Sequence, residues 1–195
     1  MALGFWKTLS TLQAAGTAVT AASRTSMTAG STQARFTLPA GEIKAPGDQL
    51  LVEAAGIISC VVTTPGTARF DLAVATTAKF DTQAMPLNVV ARTNVPWWLR
   101  LLITFTAVGT AAAATFHFLW FSEAMINTAL QATGPGPGGT VAPYSGTATG
   151  AANTASSVLD TTVSNILDLY FTQTVATGSC QLQQMNLAVL SATGW

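Results

Sequence analysis

Charge is what this sequence has least of: Asp, Glu, Lys and Arg make up 8% of its 195 residues, against about 25% in an ordinary soluble domain. Its surface must therefore be built from Thr, Ser, Ala and Gly, kept in water by hydroxyls and backbone groups. The formal net charge is zero. Without self-repulsion to hold copies apart, a partner surface or a symmetric assembly is the expected state. All eight Lys and Arg fall at or before Arg100 and form no cluster. Neutralising phosphates takes several cations on one face, so the sequence argues against nucleic-acid binding.

Catalytic residue types are equally scarce. His117 is the single histidine; it sits between Phe116 and Phe118, with no Cys, Asp or Glu at chelating spacing, so no metal centre is expected. A Ser-His-Asp set would have to use it, and no G-x-S-x-G elbow occurs. Asp71 with Asp81 and Asp160 with Asp168 lie where turn and strand-edge carboxylates lie, and do not make the flanking pair that glycoside hydrolysis needs. The GPGPGG run at 134–139 lacks the Lys and Ser/Thr of a phosphate loop. The expectation is a protein that is not an enzyme, with no catalytic residue, no cofactor and no small-molecule substrate.

Cysteine occurs twice, at Cys60 and Cys180. Two are too few for a disulfide framework and read as buried free thiols; pairing would require their strands to be neighbours. Near the N-terminus, Lys7 is followed by Thr, Ser, Gln and Gly, not by a continuous apolar core. No cleaved secretory signal is expected, and an intracellular origin follows.

The longest apolar run is Trp97–Phe121, WWLRLLITFTAVGTAAAATFHFLWF, interrupted by Arg100 and His117. A hydropathy window would flag it as a membrane span. Its periodicity is that of strands: Trp97, Leu99, Leu101, Ile103 and Phe105 share one parity, and Trp98, Arg100, Leu102, Thr104 and Thr106 the other. Phe116, Phe118 and Trp120 repeat the pattern beyond Gly109, Thr110 and four alanines. The stretch predicts two strands joined by a small-residue turn.

Residues 1–35 begin with Leu3, Phe5 and Trp6 and sustain no helical stripe, which predicts an N-terminal arm. Residues 36–195 predict one domain. Strands are expected at Phe36–Leu38, within 50–62 around Gly56, and over 70–75 where Phe70, Leu72 and Val74 alternate with Asp71. Turns are expected at Pro46-Gly47-Asp48 and Thr64-Pro65-Gly66-Thr67. Ser122–Leu130 fits a short helical turn or a strand equally well. Gly and Pro make 131–157 a long loop, with Tyr144 its one aromatic residue. Ile166–Phe171 and Cys180–Leu190, separated by Thr177-Gly178, predict a closing hairpin. With about eight strands, no long helix and no βαβ spacing, the fold class is all-β: an antiparallel jelly-roll or β-sandwich with an extended N-terminal arm.

The succession FTLPAGEIKAPGDQLLVEAAGIIS, ARFDLAV, the Trp97–Phe121 run, SNILDLYFTQTV and SCQLQQMNLAVL resembles the jelly-roll virion proteins of tailed bacteriophages, of the capsid decoration or cement type. The elements that carry the resemblance are Pro39-Ala40-Gly41, Gly47-Asp48, Trp97-Trp98 with Arg100, and Ile166-Leu167-Asp168-Leu169. It implies a homotrimer bound to the major capsid protein lattice, made in the host cytoplasm and resident on the capsid surface, with no membrane partner. Candidate subunit or capsid contacts are Phe5, Trp6, Arg100, His117, Tyr144 and Trp195. Two alternatives stand beside it: a head-fibre or tail-associated module binding host glycans through Trp97, Trp98, Tyr144 or Trp120, and a membrane protein anchored by 97–121.

Overall fold

The computed structural model describes residues 6–12, 14–28, 35–61, 66–82, 84–125, 144–146, 154–155 and 159–191. Thirteen paired segments occur in chain order: β1 Trp6–Thr11, β2 Thr25–Ser26, β3 Phe36–Leu38, β4 Gln49–Cys60, β5 Thr67–Val74, β6 Thr77–Asp81, β7 Met85–Pro86, β8 Arg92–Ala107, β9 Ala113–Ser122, β10 Tyr144–Gly146, β11 Thr154–Ala155, β12 Asn165–Gln173 and β13 Ser179–Leu190. Eight of these run to five residues or more. They form two antiparallel sheets. Sheet A has the order β1-β13-β4-β8-β9-β10, with β11 also on β9, and sheet B the order β2-β12-β5-β6, with β3 on β12 and β7 on β5. The fold is an all-β sandwich, as the strand count predicted.

The Trp97–Phe121 stretch forms strands. β8 and β9 pair from Trp97↔Ser122 to Ala107↔Ala113, around a turn in which Gly109 takes φ 110°. Thr161 clamps that turn: Gly109 N donates to Thr161 Oγ1 at 2.7 Å, and Thr161 N to the Gly109 carbonyl at 2.9 Å. No helix among the described residues is long and apolar enough to cross a membrane. The helical anchor weighed for 97–121 is therefore not formed.

Alternation decides which side chains are buried. Trp97, Leu99, Leu101, Ile103 and Phe105 from β8 and Phe116, Phe118 and Trp120 from β9 point between the sheets, where each removes apolar surface from water. Phe70 of β5 meets Trp97 at 4.7 Å, Trp120 at 5.1 Å and Phe171 at 5.2 Å between ring centroids, tying the two sheets together. Cys60 and Cys180 are free and buried.

The hairpin expected at the C-terminal end is not one. β12 pairs with β5 in sheet B and β13 with β4 in sheet A, so the Thr177-Gly178 connection arches from one sheet to the other. Each strand has a richer partner than its sequence neighbour, because both must turn an apolar face into the same interlayer space.

The segment read as an arm contributes to both sheets. β1 pairs with β13; Leu12, Gly16 and Val19 then donate to the carbonyls of Met185, Leu182 and Cys180, each at 2.8 Å. β2 pairs with β12 at Thr25 and Ser26. This strap closes the sandwich along the side where sheets A and B part. The loop read over 131–157 lies outside the described residues apart from β10 and β11, as do Phe5 and Trp195.

Candidate functional site

The two outer faces differ in chemistry. On sheet B, Arg24 grips Asp71 with Nη2 at 2.6 Å and Nε at 2.9 Å, and its guanidinium lies 3.7 Å from the Tyr170 ring centroid. The hydrogen bond to Asp71, opposed by partial burial, raises the Arg24 pKa further. Asp168, fully buried, accepts from Ser26 at 2.9 Å, Thr28 at 2.8 Å and Arg35 at 3.3 Å. Arg69 and Asp81 add a pair at 3.3 Å. The contacts to Asp71 and Asp168 hold the strap down over carboxylates that are themselves buried, and leave Ile166 exposed beside them on the outer face of β12.

Sheet A has little of this ion pairing. Its outer face is laid out in cross-strand rows fixed by register. One row runs Thr11, Asn186, Glu53, Arg100, Leu119; the next Gln184, Ala55, Trp98, Phe121; another Thr8, Ala188, Leu51, Leu102, His117. Leu51 and Ala188 are buried here by face neighbours without belonging to the interlayer core. Leu102, Leu119 and Trp98 are half-buried, and Phe121 keeps 40% of its surface exposed. The ion pair on these rows is Glu53 with Arg100 at 3.7 Å, too long for a hydrogen bond.

Between β1, β13, β4 and β8 the rows leave an open groove of about 320 Å³, lined by Thr11, Glu53, Ala55, Trp98, Gln184 and Asn186. A bulge builds it. The β13–β4 register shifts between Leu182 and Gln184, leaving Gln183 unopposed. Before the bulge Cys180 and Leu182 point inward; after it Met185, Leu187 and Val189 do. Gln184 and Asn186 are thereby turned outward beside Trp98, which is the re-aiming that bulges perform.

Several candidate residues stand on or beside this face. Arg100 and His117 are exposed on it, in β8 and β9. Trp6 is 42% exposed on the edge strand β1, opposite Leu190. Tyr144 pairs through its backbone with Trp120. Of the four aromatics considered for glycan contact, Trp97 and Trp120 are core residues and reach no ligand; Trp97 spends its indole N–H on the Ile57 carbonyl at 3.2 Å. Trp98 alone of the tryptophans in β8 and β9 opens outward. Sequence reasoning missed Thr11, Gln184 and Asn186. The missed signal was the parity slip between Leu182 and Met185, which requires a bulge. Among the described residues, no group of three or more His, Cys, Asp or Glu is placed to hold a metal ion.

No protein-family model matches this sequence, and no curated protein matches it. Among solved structures, the chain is similar to the CBM2 module of Lactobacillus casei BL23 phage J-1 evolved Dit, at 10% identity and a TM-score of 0.30, over 82% of this chain and 69% of that one. So loose a likeness decides nothing about site or ligand, and no family is assigned.

Proposed function

We propose that this chain is a structural protein of a tailed-phage virion, seated on the major capsid protein lattice as a homotrimer through the β8–β9 half of sheet A. The observation that carries this reading is the contrast between the two exteriors. On sheet B the strap and Arg35 cover the outer face through bidentate and networked ion pairs to the buried Asp71 and Asp168, whereas Leu102, Leu119 and Phe121 share the β8–β9 half of sheet A with one loose pair. Apolar surface gathered on one face of a chain with zero net charge favours burial against another subunit. Binding of the assembled state alone stabilises the particle by mass action. The sequence resemblance to decoration proteins points the same way. Arg100 and His117 then serve as the polar margin of the contact, and Trp6 as a contact from the sheet edge.

The test is reconstitution. Capsids lacking the protein are mixed with purified chain, sedimented and heated, and the free chain is sized by light scattering. A trimer that pellets with capsids and raises their disruption temperature is expected, with both properties lost in a Leu119→Glu, Phe121→Glu variant. A wild-type chain that stays monomeric and unbound overturns the proposal.

A further inference from the structure

We infer that the groove beside Trp98 is a binding site for a short neutral saccharide. This inference rests on the groove alone and stands whether or not the chain is a capsid protein.

The lining selects the ligand by exclusion. Among the described residues it carries one carboxylate, Glu53, and no Lys or Arg, and the cation beside it, Arg100, already faces Glu53 at 3.7 Å, so a phosphate or a sialylated sugar would meet a negative charge with no unengaged cation in the lining. A purely apolar ligand fits no better. Thr11 and Gln184 are exposed and Asn186 half-buried, and covering their polar groups with hydrocarbon would strip their water without return. A quaternary ammonium needs several aromatic walls; this groove has one, and Glu53 already faces Arg100 at 3.7 Å.

A neutral pyranose matches what remains. One face of the ring presents C–H groups that lie flat on an indole, and its rim presents hydroxyls that both donate and accept. Trp98 supplies the plane. Gln184 and Asn186 supply amides of both polarities, Thr11 a hydroxyl, and Glu53 carboxylate oxygens that the long pair with Arg100 leaves able to accept. At about 320 Å³ the groove is at the small end of ligand clefts, suited to a short saccharide segment. The residues sit on four strands of one sheet, so the site is largely preformed.

The experiment titrates the full chain with chitotriose, cellotetraose and maltotetraose, and with 3′-sialyllactose and glucose 1-phosphate as anionic arms. Tryptophan fluorescence and the side-chain amide resonances of Gln184 and Asn186 are followed. Saturable binding of at least one neutral oligosaccharide in the millimolar range is expected, with shifts at those two amides. Trp98→Ala should weaken it at least tenfold, Gln184→Ala several-fold, and Trp98→Phe least, while His117→Glu, two cross-strand rows away from Trp98, leaves it unchanged. Gln184 is exposed, so its variant reads the site even if Trp98→Ala fails to fold. Lack of response to all three neutral sugars, tighter binding of an anionic arm, or binding indifferent to both Gln184→Ala and Trp98→Phe overturns the inference. Because His117→Glu strikes the margin of the proposed capsid contact and Gln184→Ala the groove, failure of one reading is distinguishable from failure of the other.

Discussion

Gly56 sits mid-strand in β4, where a glycine would ordinarily weaken pairing. Here a Cβ would strike the Gln181 carbonyl and crowd the Trp97 indole nitrogen, so the bulge in β13 and the seating of Trp97 both depend on its missing side chain. Gly56→Ala should destabilise the fold by about 2 kcal/mol or more, read as a lowered urea midpoint at unchanged slope; an unshifted midpoint would show that the bulge adapts. In sequence, Gly56 reads only as a break in a β-rich run, because the atoms it makes room for belong to Gln181 and Trp97, on other strands far along the chain. The inward and outward sides of Trp97 and Trp98 were legible, since alternation within one strand is local. That Trp98 borders a groove was not, because that depends on the bulge in β13, which turns Gln184 and Asn186 outward beside it.

Among the elements, the β8–β9 hairpin was readable from its pattern and its small-residue turn, while the β12–β13 connection was misread. Both show strand, glycine, strand; partner choice separates them, and it is set by the strands of the other sheet. The strap was similarly obscured. Residues 6–28 are mostly Ala, Thr and Ser, without apolar periodicity, and they are ordered by backbone pairing to β13 and by polar contacts to Asp168 and Asp71. Removing the Asp168 carboxylate leaves Ser26, Thr28 and Arg35 without their shared acceptor. Asp168→Ala should cost about 2–4 kcal/mol and remove the hydrogen-exchange protection of the Met27 amide, which donates to Leu169 at 2.9 Å. Asp168→Asn, keeping one carbonyl oxygen, should cost less. Equal protection in all three proteins would mean that β2 pairing alone holds the strap.

For the whole molecule, the buried thiols set an alkaline limit. Desolvation pushes the Cys180 thiol well above the ordinary thiol range and the Cys60 thiol upward, the latter partly offset by Arg92. In the unfolded chain a thiol loses its proton near its ordinary pKa while the folded chain retains it, so the unfolded state binds fewer protons above that point. Stability is therefore complete below pH 9 and falls as pH rises beyond it, by up to about 1.4 kcal/mol per pH unit for Cys180. Chemical denaturation between pH 8 and 10.5 should show this fall, and Cys180→Ala should flatten it; parallel curves for the two proteins would refute the assignment. The unequal exteriors of the sandwich have a different consequence. A contact made through sheet A has one loose ion pair for salt to screen and draws its strength from water leaving apolar surface, a driving force that fades on cooling. Particles carrying this protein should therefore keep it through a high-salt wash and release it in the cold.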